Sequence, residues 1–160
     1  MSKMIAFDSG IEKTGWAIME KSNANEAKLL ESGCIFTSKT LTHANRLLSI
    51  KNQTKEIIGK YDIQYAVLEK LFFNTNTTTA MAVAQAQGVV IATLAESGIE
   101  VEFVTPLFVK QTITGYGRAD KKQVSQMVKI LLKIEKMPKM DDIVDAIAIG
   151  ISYCRIKPVI

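Results

Sequence analysis

The sequence predicts an α/β fold, and two patterns predict it. Three short apolar runs, at residues 4–7, 15–19 and 31–37, follow one another with brief polar connections, which suits an antiparallel meander. After them, strand-length runs at 63–70 and 101–106 alternate with longer stretches of helical periodicity. Strands interleaved with amphipathic helices place those helices against a sheet.

Each element has its own warrant. Residues 4–7 run straight into Asp8, Ser9 and Gly10, a turn signal, and the apolar pattern resumes at Gly15. "ESGCIFT" (31–37) is a third strand, bounded by Gly33 and polar neighbours. "THANRLLSIKNQTKEIIGKY" carries Leu47, Leu48, Ile50, Ile57 and Ile58 among charges, the stripe of a surface helix. "IQYAVLEK" (63–70) is a buried strand closed by Glu69, and "VEFVTP" (101–106) is a fifth, stopped by Pro106. "KKQVSQMVKILLKI" spaces Val124, Val128, Leu131 and Leu132 helically, and "DDIVDAIAIGISYC" is a last, more apolar helix.

Residues 71–95 contain no charged side chain. From about residue 77 the pattern is a helix of about twenty residues, long enough to span a bilayer. Gln85, Gln87 and Gly88 at its middle, and the lack of flanking basic clusters, argue against insertion. A helix apolar nearly all round is expected to be buried on two sides. One side would face the sheet, the other a second subunit or the rest of this domain.

The 160 residues suit one domain, 1–160, with 48% hydrophobic and 22% charged residues, an ordinary soluble composition. No secretory leader is expected, because the N-terminus meets Asp8 after a few apolar residues. Cys34 and Cys154 sit in apolar contexts and suit reduced core residues of a cytoplasmic protein, not a disulfide framework. A net charge of +4 leans toward an anionic partner.

Acids end otherwise apolar elements. Asp8 closes the first strand and Glu69 the fourth, while Asp142 and Asp145, three residues apart, share one face of the last helix. Burying an unpaired carboxylate costs several kcal/mol. Singly, each acid is as well explained by a turn, a solvated strand end or a helix cap. Together they favour a cluster that protons or cations must neutralise. Hard oxygen donors from separated segments suit Mg2+ or Mn2+, two of which can hydrolyse a phosphodiester. Lys110, Arg118, Lys121 and Lys122 lie around a flexible Gly-Tyr-Gly turn in "FVKQTITGYGRADKKQ", a loop able to follow a phosphate backbone or to be an ordinary solvated loop. Phe72 and Phe73 follow Glu69 in a polar stretch; one is expected to stack on or wedge nucleic acid and the other to be core.

The chain resembles the RuvC Holliday junction resolvases of the ribonuclease H-like superfamily, over nearly its whole length. The likeness is carried by Glu69 with "LFFNTNTTTAMAVAQAQG", by "VKQTITGYGRADKKQV" and by "DIVDAIAIGISYC". It implies a mixed sheet, three antiparallel strands followed by parallel strands, flanked by helices. It implies that Asp8, Glu69, Asp142 and Asp145 are catalytic carboxylates holding Mg2+, two ions per site with Mn2+ able to substitute. It further implies that Phe72 is the aromatic wedge and that Lys110 and Lys121 lie near the scissile phosphate. A homodimer, four-way junction DNA as substrate and a branch-migration motor complex as partner are implied too, with no membrane. The family has Asp-Pro-Gly where this chain has Asp8-Ser9-Gly10; serine loosens the turn and keeps the carboxylate. Of the doublet Asp141–Asp142, the face shared with Asp145 selects Asp142.

Three other readings follow from the same residues. A related nuclease could take other branched DNA or RNA–DNA hybrids. A non-catalytic junction-binding protein would have lost at least one of the four acids. "FDSGIEKTGWAI" also resembles the phosphate loop of actin-like ATPases, which need two such subdomains and more chain than this.

Overall fold

The computed structural model describes residues 2–21, 23, 26–72 and 77–156. Five strands, β1 (Ser2–Asp8), β2 (Lys13–Lys21), β3 (Ala27–Phe36), β4 (Tyr65–Glu69) and β5 (Glu100–Val104), form one sheet in the order β3-β2-β1-β4-β5. β1 to β3 pair antiparallel, and β4 and β5 join parallel. This is the mixed sheet that the sequence leads one to expect. Among the described residues, five helices accompany it: α1 (His43–Ile58), α2 (Thr77–Glu96), α3 (Pro106–Thr114), α4 (Lys121–Leu132) and α5 (Asp141–Cys154).

Alternation along the strands sorts side chains into two cores. Ile5, Phe7, Trp16, Ile18, Ala66 and Leu68 pack with α1 and α2 on one face. Met4, Ala6, Ala17, Met19 and Val67 pack with α3, α4 and α5 on the other. The parity that puts Ala6 and Val67 under α5 also sends Asp8 and Glu69, two residues further on, to that face. The register pairs Phe7 with Leu68, so the two acids end neighbouring central strands.

α5 lies directly on the sheet at Gly15, the residue paired with Asp8. A Cβ at position 15 would fall 1.9 Å from the Asp142 carbonyl oxygen. Only glycine permits that approach, and it sets where the first turn of α5, with Asp142, begins. Gly15→Ala is expected to push α5 away and destabilise the fold by roughly 1–3 kcal/mol, the usual cost of overpacking. A lowered midpoint in thermal denaturation would show it; an unchanged midpoint would mean that α5 yields freely.

Two expectations need correction. The strand at 101–106 ends at Val104, and Pro106 starts a helix instead of merely stopping a strand. Thr105 caps that helix by accepting from the Phe108 N–H at 3.1 Å, Pro106 occupies its first turn, and Gly115 closes it at φ 78°. Lys110 therefore stands on a helix and not on a loop. Of the two faces of α2 expected to be buried, one meets this domain's core, with Ala86, Val90 and Leu94 enclosed, while Met81, Gly88 and Ala92 on the other are not covered by this chain. α2 is long and apolar enough to cross a membrane by length and composition, yet its inner face packs into this domain's core.

Candidate active site

Asp8, Glu69 and Asp145 line one cleft of about 290 Å3, together with Lys110 and Lys121. Pro106, Val109, Val124 and Ala148 form its apolar wall. Each polar group arrives from a different element. Asp8 and Glu69 come from the ends of β1 and β4, Lys110 from α3, Lys121 from the first residue of α4, and Asp145 from the second turn of α5. The start of α4 is held by a capping box, in which Asp120 accepts from the Gln123 N–H at 2.8 Å and Gln123 accepts from the Asp120 N–H at 2.9 Å. That cap aims Lys121, whose Nζ lies 3.1 Å from Asp145 Oδ2.

The turn after Asp8 is tied in an unforeseen way. Thr14, fully buried, donates its hydroxyl to the Gly10 carbonyl at 2.7 Å and accepts from the Gly10 N–H at 3.2 Å. Ser9 thus stands in a turn braced across its base, with no proline. The Gly-Tyr-Gly turn is likewise braced and not loose: Gln111 donates to the Gly115 carbonyl at 2.9 Å, and the Tyr116 N–H donates to Thr114 Oγ1 at 3.1 Å.

The carboxylates press on one another. Burial, then the charges of Asp145, Glu69 and Asp142, push Asp8 up to about 7, against an opposing pull from Lys121. Glu69 is raised by burial and by Asp145, while Lys110 and Lys121 oppose. Asp145 is raised by burial, although its hydrogen bond to Lys121 works the other way. A group of acids with several raised pKa values in one cleft marks a candidate for cation binding and catalysis.

Asp142 does not line the cleft, but its charge acts on Asp8, where Asp141 is not among the causes. Asp141 instead acts on Lys121 and Asp145. Asp141, four positions from Asp145, also lies on that side of the helix, and of the two it is Asp142 whose charge raises Asp8. Arg118 and Lys122 are exposed and lie outside the cleft lining. Phe72 is 61% exposed, three residues beyond Glu69, so it is no core residue. Phe73 lies outside the described residues.

The thiols Cys34 and Cys154 are both free. Cys154 is buried, as expected, but Cys34 is only half-buried and pairs with Gly15 beside the acids. Burial and then the charge of Asp142 push its thiol up to about 11, which keeps it neutral.

Residues 4–153 match the family model for the crossover junction endodeoxyribonuclease RuvC. This chain belongs to the RuvC family. A RuvC from Caldicellulosiruptor saccharolyticus is 40% identical over 94% of this chain and 91% of its own length. One from a Roseiflexus species is 39% identical over 99% of this chain and 94% of its own. Among solved structures, Thermus thermophilus RuvC in complex with a Holliday junction substrate superposes with a TM-score of 0.91, at 27% identity, covering 99% of this chain and 100% of that one. The mixed sheet and its flanking helices are those of this family's fold.

Proposed function

We propose that this chain, a crossover junction endodeoxyribonuclease by family, resolves four-way DNA junctions by paired, metal-dependent phosphodiester hydrolysis. The observation that carries the proposal is the cleft in which Asp8, Glu69 and Asp145 face Lys110 and Lys121. The T. thermophilus relative bound to a Holliday junction supports the substrate.

The donor set fits a hard divalent cation. Carboxylate oxygens arrive from three segments, and burial together with their mutual repulsion lifts Asp8 to about 7, a penalty on the charged form that a cation relieves. Among the described residues, no group of three His, Cys, Asp or Glu side chains is already gathered as a ready metal cage. Mg2+ keeps several waters and takes oxygens from a substrate phosphate, so it draws on few protein ligands. Asp8, Glu69 and Asp145, with Asp142 at the margin, would hold two such ions, and Mn2+ has the same ligand preference. When bound, the ions supply Lewis-acid stabilisation and a nucleophilic water.

The chain's own residues do the rest. Lys110 and Lys121 hold the scissile phosphate by charge, and Lys121 moves from Asp145 toward that phosphate as the acids are neutralised. Val109, Val124 and Ala148 limit water on one side of the cleft. Phe72 stacks on an unpaired base at the crossover, and Arg118 and Lys122 follow the backbone further out. The exposed side of α2, with Met81 64% exposed, supports a twofold dimer that presents two clefts to opposite strands. A cytoplasmic protein working beside a branch-migration motor fits this reading.

A synthetic mobile four-way junction tests it. In Mg2+ the expected products are symmetric nicked duplexes of matched length, and in chelator none. Full cutting in chelator would end the metal-dependent reading; binding without cutting under any divalent ion would make the chain a binding protein.

A further inference from the structure

Gln87 is a polar residue on the inner face of α2, 7% exposed, and its Nε2 donates to the main-chain carbonyl of Glu69 at 2.9 Å. The sheet explains why that carbonyl needs it. In a parallel sheet successive residues address opposite neighbours. The Lys70 N–H donates to the Val104 carbonyl at 2.8 Å, so Lys70 faces β5 and Glu69 faces the β1 side. There the pairing of β1 with β4 ends at Phe7 and Leu68, and the chain turns away after Asp8. The Glu69 carbonyl lies one rung past its strand partner, where a sequestered acceptor requires another donor. Gln87 supplies it across the layer, from helix to strand end.

We propose that Gln87 is a positioning residue for the cation site: by holding the main chain of Glu69 it fixes where the Glu69 carboxylate stands in the cleft. The inference rests on the nuclease reading above. Glu69 shares one cleft with Asp8 and Asp145. An untethered strand end would let its carboxylate swing toward water, and the cleft would lose an oxygen donor. A neutral amide donor restrains the backbone without adding a charge that would compete with the cation. Partners that orient a metal ligand in this way are worth roughly 10–100-fold in metal affinity or activity.

Gln87→Met keeps the side chain's length and removes the donor. Calorimetric titration of Mn2+ into the DNA-free protein is expected to show a dissociation constant raised by roughly 10–100-fold. The Mg2+ concentration for half-maximal cutting should rise in parallel, while junction binding in chelator is unchanged. Thr93→Ala serves as the comparison. Thr93 is another buried polar residue of α2, but its hydroxyl bonds within the helix, to the Val89 carbonyl at 2.7 Å. That variant is expected to lower the melting temperature without moving the Mn2+ affinity. If Gln87→Met leaves Mn2+ affinity and half-maximal Mg2+ unchanged, or if Thr93→Ala shifts them equally, Gln87 merely packs the helix and the proposal is overturned. Failure of the nuclease reading looks different: the unaltered protein would then take up no Mn2+ and cut no junction.

Discussion

Asp145→Asn is expected to hold a four-way junction in chelator at least as tightly as the unaltered protein, yet to cut it in Mg2+ at least roughly a hundredfold more slowly, the scale of losing one preorganised group that stabilises developing charge. Two sets of residues with separable work lead to this result. The lysines attract the phosphate backbone whether or not a cation is present. The acids repel that backbone until a cation arrives. Asp145 is the acid whose carboxylate lies 3.1 Å from Lys121 Nζ. Replacing it by the amide removes one negative charge from the cleft and frees Lys121 to face phosphate, so affinity in chelator holds or rises. The same change removes a charged oxygen donor for the cation, and rate falls. Shape is retained, since the amide is isosteric, and the helix α5 keeps its packing on Gly15. Gel shifts and cleavage on one junction decide the matter. Normal cutting by Asp145→Asn would mean that the carboxylates in this cleft are not the reacting set.

Much of the fold was legible because hydrophobic period and acid placement agree. Apolar runs ending in Asp8 and Glu69 mark two strand ends, and the register of β1 with β4 makes those ends neighbours. α5 matches the run from Asp141 to Cys154 residue for residue, its buried residues extending from Val144 to Cys154. The helix α3 was not legible by periodicity. Thr105-Pro106 reads as a strand stop if the preceding apolar run is given priority, and as a capped helix start only if the Gly115 closure is weighed with it. That misreading placed Lys110 on a loop.

The half-exposed state of α2 was hidden for a different reason. Composition reports that a helix is apolar all round, but not whether its second face meets this chain or another surface. Thr14 and Gln87 were missed because their work is done on main-chain groups. Nothing in a side-chain pattern announces that a strand has run past its partner and left a carbonyl to satisfy. Asp141 and Asp142 are not distinguished by spacing, because both share a helix side with Asp145; in three dimensions it is the charge of Asp142 that reaches Asp8 and Cys34.

Stability of the cation-free protein is expected to fall as the pH rises from about 4 toward neutrality, the reverse of the usual behaviour of a paired carboxylate. The sign follows from the proton count. Asp8 ordinarily titrates at 3.8 and is raised to about 7 in the fold, by burial first and then by Asp145, Glu69 and Asp142. Between those two values the folded protein binds a proton that the unfolded chain has released, so stability declines with pH across that window. Glu69 and Asp145 are raised as well and act in the same direction. Lys121, also raised, contributes stability below its unfolded value of 10.5 and is constant in this window. At about 1.4 kcal/mol for each unit, the Asp8 contribution is on the order of a few kcal/mol. Thermal melts in chelator over this pH range should record a declining midpoint. Adding Mg2+ or Mn2+ at neutral pH should restore it, because a ligand that binds only the folded state stabilises that state. Asp8→Asn should melt higher than the unaltered protein at neutral pH in chelator, lose most of the pH slope and gain less from added cation. A midpoint that climbs with pH in chelator would mean that the acids are already paired in the fold, and the crowding that motivates a cation site would be absent.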